Sequence, residues 1–306
     1  MSDIIKNGVY PTMLTPFTED NEIDYDGVLS ILDYYAKSGV DGIFAVCQSS
    51  EMFFLSAEER LSLLKFIKAN MPGGISLVAS GNVSDDFDSQ MKEARAFIDE
   101  GIDAYVFLSN RFAAADENDE VFLKNYESVV SRLPDVPLGI YECPYPYKRV
   151  VQPETLARCC EISNLSFIKD TCCDINLIRA KLKATVGTGL KIFNANGATF
   201  FESLKDGCAG YSGVMANFHP DLYKWLYIHA DEESERVKML ADFLSFASTI
   251  ELQQYPVNAK YHMSKCGVNI GIYTRTRDFT AFTDANRKEI DSMIETENRV
   301  RKAICG

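Results

Sequence analysis

The most reactive group that this sequence offers is a lysine at the end of a buried apolar run. Lys169 closes the segment LSFIK (165–169), and Asp170 follows it. An amine attacks a carbonyl carbon only when it is unprotonated, and burial lowers the pKa of a lysine from about 10.4 toward neutrality. We therefore interpret Lys169 as a candidate nucleophile that forms a Schiff base with a keto group. Taken alone, Lys169 is better explained by an ion pair with Asp170 or by a stem that carries the amine to water.

A tyrosine occupies the corresponding place in another apolar run. Tyr141 closes the segment PLGIY (137–141), and Pro144 and Pro146 stiffen the loop that follows. A phenol beside a Schiff-base lysine can donate and accept protons during carbinolamine formation and carbon–carbon chemistry. The alternative is an aromatic side chain that only fills the core.

The segment CQSSE (47–51) offers polar groups directly ahead of a predicted helix. Gln48, Ser49 and Ser50 carry amide, hydroxyl and backbone N–H groups. Such a turn can hold a carboxylate, so we expect these three residues to bind the acid group of a substrate. Glu51 is expected to accept hydrogen bonds from backbone amides under the loop. A plain serine-rich connector is the alternative interpretation.

Glycines recur in the last apolar run of the chain. Gly207, Gly210 and Gly213 lie in the segment DGCAGYSGVMAN (206–217). A residue without a side chain lets the backbone approach a ligand closely, or lets two strands pack tightly. Gly213 is therefore a candidate substrate contact.

Short apolar runs alternate with longer amphipathic stretches along the chain. The runs are continuously apolar, as strands buried on both faces are, and they predict eight strands at 8–14, 42–46, 75–79, 104–108, 137–141, 165–169, 190–194 and 209–213. Apolar stripes and capping residues predict seven helices between them, at 24–38, 56–70, 84–100, 117–132, 153–161, 174–184 and 198–206.

This alternation predicts an α/β fold, a closed (β/α)8 TIM barrel with a C-terminal helical extension. The alternative is an open doubly wound sheet. We expect the barrel to span 1–230, and 231–306 to form a helical appendage in the same structural unit. The appendage and the end of the barrel are predicted to hold helices at 220–229, 233–252, 256–265 and 284–303.

The predicted barrel brings the candidate groups together. All its strands end at one face, so Lys169, Tyr141 and the polar turn after the second strand converge there. That convergence favours an enzyme over the separate structural interpretations.

Composition and charge disfavour several classes of partner. The formal net charge of −13 disfavours nucleic acid and anionic membrane surfaces. There is no apolar run of roughly 18 residues and no signal-peptide pattern at the N-terminus. The nine cysteines are odd in number and lack C-x-x-C spacing, which predicts reduced thiols in a cytoplasmic protein. Three scattered histidines do not support a zinc site, so no metal is expected.

Five segments, taken in order, resemble the dihydrodipicolinate synthase / N-acetylneuraminate lyase family over roughly residues 6 to 300. GVYPTMLTPF is similar to the family's opening strand and its T-P-F. CQSSE lies where the family has G-T-T-G-E or G-S-T-G-E, YECP lies where it has Y-N-x-P, and IKD matches its I-K-[DE]. DGCAGYSGVMAN resembles its G-x-x-G-x-x-S-x-x-x-N region. Each segment alone is unspecific, whereas the ordered set is specific.

The resemblance implies roles for four residues. Lys169 would bind pyruvate or another 2-keto acid as a Schiff base, and Tyr141 would be the proton donor or acceptor. Ser49 would replace the threonine that binds the keto-acid carboxylate, and Ser212 would lie at the strand-eight position whose backbone helps to bind the substrate. No metal or organic cofactor is implied, and the family usually forms a homotetramer of two tight dimers.

The chain departs from the family pattern where the second substrate is selected. Pro146 stands where the synthases place an arginine that grips the carboxylate of the aldehyde, and the nearest cations are Lys148 and Arg149. The sequence does not assign a role to either cation.

A second departure concerns the proton relay. Gln48 replaces the first hydroxyl of G-T-T-G-E, and Ser50 replaces its glycine. Leu108 and Ser109 stand where the family often has a pair of tyrosines. Ser109 is the candidate that would restore a hydroxyl to the relay.

We therefore predict a class I, Schiff-base-forming aldolase or lyase that cleaves or forms a 4-hydroxy-2-keto acid of the sugar-acid type, or a related dehydratase. The altered relay leaves open a non-catalytic 2-keto acid sensor or an inactive homologue, and the departures disfavour a 4-hydroxy-tetrahydrodipicolinate synthase. Two further alternatives are an unrelated lysine-dependent barrel aldolase and a thiol mechanism through Cys143 or Cys47, although no histidine is placed by motif to activate either thiol.

Overall fold

The computed structural model describes residues 4–84, 86–133 and 136–305. Parallel strands alternate with helices around one hydrophobic core. The predicted barrel begins at residue 1 and the predicted appendage ends at residue 306, and both of these residues lie outside the described ranges. Position 85, in the helix predicted at 84–100, also lies outside them.

Eight strands form a single parallel sheet in the order β1-β8-β7-β6-β5-β4-β3-β2. They are β1 (Gly8–Val9), β2 (Gly42–Ala45), β3 (Ser76–Ala79), β4 (Ala104–Leu108), β5 (Leu138–Tyr141), β6 (Leu165–Asp170), β7 (Lys191–Asn194) and β8 (Gly210–Tyr211). Each predicted apolar run coincides with one of these strands, although β6 extends one residue beyond its run and the first and last strands are shorter than predicted.

The residues that follow β1 form hydrogen bonds with β2, and these bonds close the sheet into a barrel. The amide of Met13 donates to the carbonyl of Phe44 at 2.9 Å, and the amide of Phe44 donates to the carbonyl of Pro11 at 3.0 Å. A parallel bridge between Thr12 and Phe44 accompanies these bonds. The predicted (β/α)8 barrel is thereby confirmed, and the open sheet is excluded.

Helices cover the outside of the barrel. They are α1 (Tyr25–Lys37), α2 (Ala57–Asn70), α3 (Phe87–Asp99), α4 (Asp119–Val130), α5 (Pro153–Ile162), α6 (Ile175–Ala184), α7 (Gly197–Lys205) and α8 (Pro220–His229). Helix α2 begins with the predicted capping box, in which the hydroxyl of Ser56 accepts from the amide of Glu59 and the carboxylate of Glu59 accepts from the amide of Ser56.

Aromatic rings fill the barrel interior below its C-terminal face. The ring of Phe193 lies 4.6 Å from that of Tyr10 and 4.7 Å from that of Phe167. At the seam between the first and last strands, a Cβ on Gly210 would lie 1.7 Å from the carbonyl oxygen of Gly8. Close strand packing therefore requires this glycine.

The chain after α8 forms further helices that pack on the barrel. They are α9 (Glu235–Ala247), a 3₁₀ helix (Ser248–Leu252), α10 (Val257–Lys265) and α11 (Asp284–Cys305). Helix α9 packs against α7 and α8, and α11 packs against α9 and α10. This confirms the predicted C-terminal helical extension. The turn between α9 and α10 lies over the open end of the barrel.

A buried polar cluster fastens α11 to the rest of the chain. One oxygen of Glu297 lies 3.1 Å from Nδ1 of His219 and 2.8 Å from Nε2 of His262. Its other oxygen accepts from Arg301 at 3.2 Å, and Cys266 lies beside His262. The fold thus brings together two histidines that lie far apart in the sequence.

Candidate active site

Lys169 and Tyr141 are neighbours on adjacent strands, and both side chains point into the barrel. They are register partners in the β5–β6 pair. Lys169 is 3% exposed, and its Nζ lies 4.3 Å from the centre of the Tyr141 ring. The predicted convergence of the amine and the phenol therefore appears as direct contact across one strand pair.

The amine of Lys169 has no carboxylate within ion-pair distance in the part of the chain that the structure describes. Burial lowers its pKa, and the Coulombic influence of Cys47, Cys143 and Glu251 only partly opposes this effect. The solvent-reaching alternative does not apply because the side chain is buried. An unpaired amine with a depressed pKa is the form that attacks a carbonyl.

Asp170 does not pair with Lys169, because successive residues of a strand point to opposite faces. Its carboxylate turns outward and lies 2.5 Å from the amine of Lys181 on α6. Glu142, the residue after Tyr141, also turns outward and binds the same amine at 2.6 Å. The side chains of all three residues are fully buried. This outer cluster joins the ends of β5 and β6 to one point on α6.

Backbone amides complete the outer cluster. The carboxylate of Glu142 accepts from the amides of Val151 and Thr171 at 2.9 and 2.8 Å. Burial and the adjacent Asp170 raise the pKa of Glu142 to about 7, although Lys181 lowers it. The cluster therefore fixes the chain on either side of the Lys169–Tyr141 pair.

The phenol of Tyr141 is bonded to an amide rather than to a hydroxyl. It donates to Oε1 of Gln48 at 3.3 Å, and the thiol of Cys143 donates to the same oxygen at 3.4 Å. Burial raises the pKa of Tyr141 well above its usual range. Tyr141 thus stays protonated, and Gln48 does not provide the hydroxyl that the family relay contains.

Ser49 lies in a row of hydroxyls on the cavity wall. Its hydroxyl donates to that of Thr12 at 3.0 Å. Burial raises the pKa of the Tyr255 phenol, and a hydrogen bond with Ser49 partly offsets that rise. The amide of Asn217 also donates to the Tyr255 hydroxyl at 3.2 Å. Ser49 and Tyr255 of this row line the cavity that contains Lys169, and carboxylate binding by Ser49 stays a prediction.

The other polar candidates lie deeper or elsewhere. The hydroxyl of Ser50 donates to the carbonyl of Met13 at 2.6 Å and accepts from the amide of Cys47 at 3.0 Å, so it braces the loop. The hydroxyl of Ser109 donates to the carbonyl of Arg149 at 2.6 Å. Neither side chain lines the cavity that contains Lys169.

The strand-eight candidates lie behind the cavity wall. Ser212 is fully buried, and its hydroxyl has no partner among the described residues. A Cβ on Gly213 would lie 2.4 Å from the carbonyl oxygen of Ala195, so the glycine permits close strand packing. Of this segment, Val214 reaches the cavity lining.

Glu51 has the structural role that the sequence predicts. Its side chain is 1% exposed and pairs with Lys260 at 2.9 Å. The amides of Arg275 and Thr276 donate to its other oxygen at 2.6 and 2.8 Å. The loop after β2 is thereby tied to the C-terminal region of the chain.

The two cations near the altered synthase position point in different directions. Lys148 lines the cavity, and its amine donates to the carbonyl of Thr171 at 2.6 Å. Arg149 points away and binds Asp119 of α4 at 2.7 Å. Lys148 is thus the one of the two that can contact a ligand.

A cavity of about 550 Å³ opens above Lys169, which is enough room for a small organic acid. Part of its wall comes from the C-terminal region, through Glu251, Leu252, Tyr255, Thr276 and Arg277. Sequence reasoning missed these residues because they follow the barrel in the chain and carry no motif. Asn196, which caps α7, was also missed.

The thiol of Cys143 does not have the environment of a nucleophile. Burial raises the pKa of Cys143 to about 11, whereas a reactive cysteine has a depressed pKa. The thiol mechanism therefore finds no support at Cys143.

Comparison with known proteins identifies the family. A model of the dihydrodipicolinate synthetase family matches residues 6–297. The chain belongs to this family. Its members are pyruvate-dependent lyases and synthases that bind small 2-keto acids and are usually oligomeric. The resemblance of the five segments is thereby confirmed.

Three relatives of the chain have low sequence identity to it. A 4-hydroxy-tetrahydrodipicolinate synthase of Methanothrix thermoacetophila is 25% identical over 217 residues, 70% of each chain. The fold matches YagE, a prophage protein of this family from E. coli K12 solved with pyruvate, with a TM-score of 0.85 at 18% identity over 95% of this chain and 98% of the other. It also matches CdNal from Clostridium difficile, solved with mannosamine, with a TM-score of 0.82 at 20% identity over 93% and 97%. At these identities the structural matches establish the fold alone.

None of the described helices combines the length and the apolar character that crossing a membrane requires.

Proposed function

We propose that this protein is a class I aldolase or lyase that forms a Schiff base between Lys169 and pyruvate or a 4-hydroxy-2-keto acid. The observation that carries the proposal is the buried, unpaired amine of Lys169 beside the ring of Tyr141. Such an amine adds to the keto carbon, and loss of water with uptake of one proton gives an iminium ion that accepts electrons from the neighbouring carbon–carbon bond.

The surroundings of Lys169 suit the acid end of such a substrate. Ser49 and Tyr255 offer hydroxyl groups on the same cavity. The Tyr141 phenol is protonated and can donate to the oxygen that leaves as water. No metal or organic cofactor is part of the proposal. The expected cytoplasmic location and homotetramer belong to it as well, and they rest on the family resemblance and the composition.

A 2-keto acid sensor is the second candidate, and one observation favours it. The Tyr141 hydroxyl is bonded to the Gln48 amide, and Ser109 is bonded to the Arg149 carbonyl, so neither candidate joins a chain of hydroxyls. A protein with this arrangement would retain keto acid on Lys169 without turnover.

The experiment begins with pyruvate and borohydride, followed by intact-protein mass measurement. The proposal predicts one reduced pyruvyl group per chain in the wild type and none in Lys169→Met. A panel of 4-hydroxy-2-keto acids then separates the two candidates, because an aldolase releases aldehyde and a sensor forms only the adduct. Folded wild-type protein that forms no adduct with any keto acid of the panel would contradict both.

A further inference from the structure

Glu251 is a carboxylate without a partner in the cavity that contains Lys169. No hydrogen-bond donor or cation within the described ranges lies in bonding distance of it, although it lines the cavity. The other carboxylate on the cavity wall, Glu51, is saturated by Lys260 and by the amides of Arg275 and Thr276. Among the described lining residues, Glu251 is therefore the carboxylate that is free to accept a proton.

The segment that carries Glu251 turns an apolar side chain outward and an acidic side chain inward. In the 3₁₀ helix Ser248–Leu252, Leu252 is 84% exposed, whereas Glu251 is turned inward and half-buried. The side-chain amide of Asn258 holds this turn by donating to the carbonyl of Ile250 at 2.8 Å. Soluble proteins normally place the leucine inside and the glutamate outside, so this orientation is unfavourable for folding and indicates a role in the cavity.

Glu251 also lies within electrostatic range of Lys169. Burial raises the pKa of Glu251 above the usual range of a glutamate, and the charge of Lys169 opposes that rise. A carboxylate whose pKa moves toward neutrality is well suited to general acid–base work. The other titratable groups that Glu251 influences are Cys173, Tyr211, Tyr223 and Tyr255, and burial raises the pKa of each.

We propose that Glu251 is the group that moves the proton at C3 of a keto acid bound to Lys169. In the pyruvyl iminium ion, the Glu251 carboxylate takes a proton from C3, the C–H electrons form the C2=C3 bond, and the iminium nitrogen becomes neutral. When the resulting enamine attacks an aldehyde carbon, the carboxylic acid returns the same proton to the aldehyde oxygen. The iminium ion is then hydrolysed by water, and the reverse sequence cleaves the 4-hydroxy acid.

This inference rests on the proposed Schiff base, and it gives the catalyst a base that the altered tyrosine relay lacks. Tyr141 remains protonated beside Gln48, so it serves as a hydrogen-bond donor during iminium formation. Glu251 then performs the carbon acid chemistry from the part of the cavity wall that the C-terminal region provides.

The test measures exchange of the methyl protons of pyruvate for deuterium in deuterated water by proton NMR. Wild type, Glu251→Gln and Glu251→Asp are compared, and exchange in Lys169→Met is subtracted as background. Borohydride trapping is run in parallel on each protein, and thermal unfolding shows that each is folded. Glu235→Gln is the matched control, because Glu235 is 90% exposed on α9.

We expect Glu251→Gln to trap pyruvate as the wild type does while its exchange rate falls by about 10²- to 10⁴-fold. The acid limb of the exchange–pH profile should disappear in Glu251→Gln and persist in Glu251→Asp. Exchange at the wild-type rate in Glu251→Gln, or wild-type protein that traps pyruvate without exchange, overturns the role of Glu251 and leaves the Schiff base standing. Failure of the wild type to trap any keto acid instead overturns the proposed function on which this inference rests.

Discussion

In the part of the chain that the structure describes, the amine of Lys169 is buried and lacks a carboxylate partner, which suits it to act as a nucleophile. Strand geometry accounts for this, since the acidic residue that follows it faces the opposite side of β6 and binds Lys181. The Schiff-base proposal thus depends on a separation of charges across one strand. The lysine inside the barrel is unpaired, while the lysine outside it is bound by two carboxylates.

Removal of the Lys169 amine should stabilise the fold while abolishing adduct formation. Burial lowers the pKa of Lys169, so the unfolded chain binds more protons at neutral pH and the wild type becomes more stable as the pH rises. Lys169→Met should therefore raise the unfolding free energy at pH 7 by about 1–3 kcal/mol, and the gain should be smaller at pH 9.

Urea unfolding at the two pH values measures this effect. Lys37→Met serves as the control, because the Lys37 side chain is 75% exposed, and its stability should stay within about 0.5 kcal/mol of wild type. A Lys169→Met protein that is less stable than wild type at pH 7 would mean that the amine is well solvated or paired.

At the scale of elements, the outer cluster holds β5, β6 and α6 together. Glu142 and Asp170 follow the two candidate catalytic side chains directly, and both bind Lys181 of α6. The candidates are therefore positioned by backbone that is fixed on its outer face.

Lys181→Met should destabilise the protein by about 3–5 kcal/mol, because it leaves two adjacent carboxylates buried without a cation. The pKa of Glu142, about 7 in the folded chain against 4.5 as its ordinary value, should rise further. In the unfolded chain Glu142 loses its proton at a lower pH than in the folded variant, so the stability of the variant falls as the pH rises above about 4.5. The cost of Lys181→Met should therefore be larger at pH 8 than at pH 5.

Urea unfolding of the variant and of Lys183→Met, an exposed neighbour on α6, measures this cost. Lys183→Met should match the wild type. A Lys181→Met protein whose cost is the same at both pH values would show that Glu142 does not titrate in the cluster.

The strands and most helices could be predicted because each is a local pattern. The apolar run that ends at Lys169 is continuous because β6 is buried on both faces, and Ser56 with Glu59 identifies the start of α2. The family motifs likewise identify Lys169 and Tyr141. The outer partner Lys181 could not be predicted, because an isolated lysine on an amphipathic helix normally faces solvent.

At the scale of the whole molecule, the C-terminal region completes the cavity that the barrel begins. Glu251 and Tyr255 face the cavity beside Lys169, and Glu51 ties the loop after β2 to residues 274–276. These contacts join parts of the chain about 200 positions apart, and no local sequence pattern encodes them. That distance is why sequence reasoning found the part of the site that the barrel strands carry and missed the part that the C-terminal region contributes.

The anchor of α11 should contribute a pH-dependent part of the stability. Burial would lower the pKa of His262, but the hydrogen bonds with Cys266 and Glu297 raise it above 6.5, and the histidines lower the pKa of Glu297 despite its burial. The interaction is complete above the unfolded glutamate pKa of 4.5 and is lost as the pH rises through the folded pKa of His262. Glu297→Gln should therefore cost about 1.5–3 kcal/mol at pH 5.5 and less at pH 9.

Thermal and urea unfolding at these two pH values measure this contribution. Glu295→Gln is the control, because Glu295 is exposed on the same helix. A cost that grows from pH 5.5 to pH 9 would contradict the assignment of charge to this cluster.

The most direct test of the central claim is the position of the trapped adduct in the chain. Wild-type protein is treated with pyruvate and borohydride, digested, and mapped by peptide mass spectrometry. We predict a reduced pyruvyl group on Lys169, with Lys148, the other lysine beside the cavity in the described part of the chain, unmodified. An adduct on Lys148, or folded protein that carries no adduct on Lys169, would contradict the Schiff-base account.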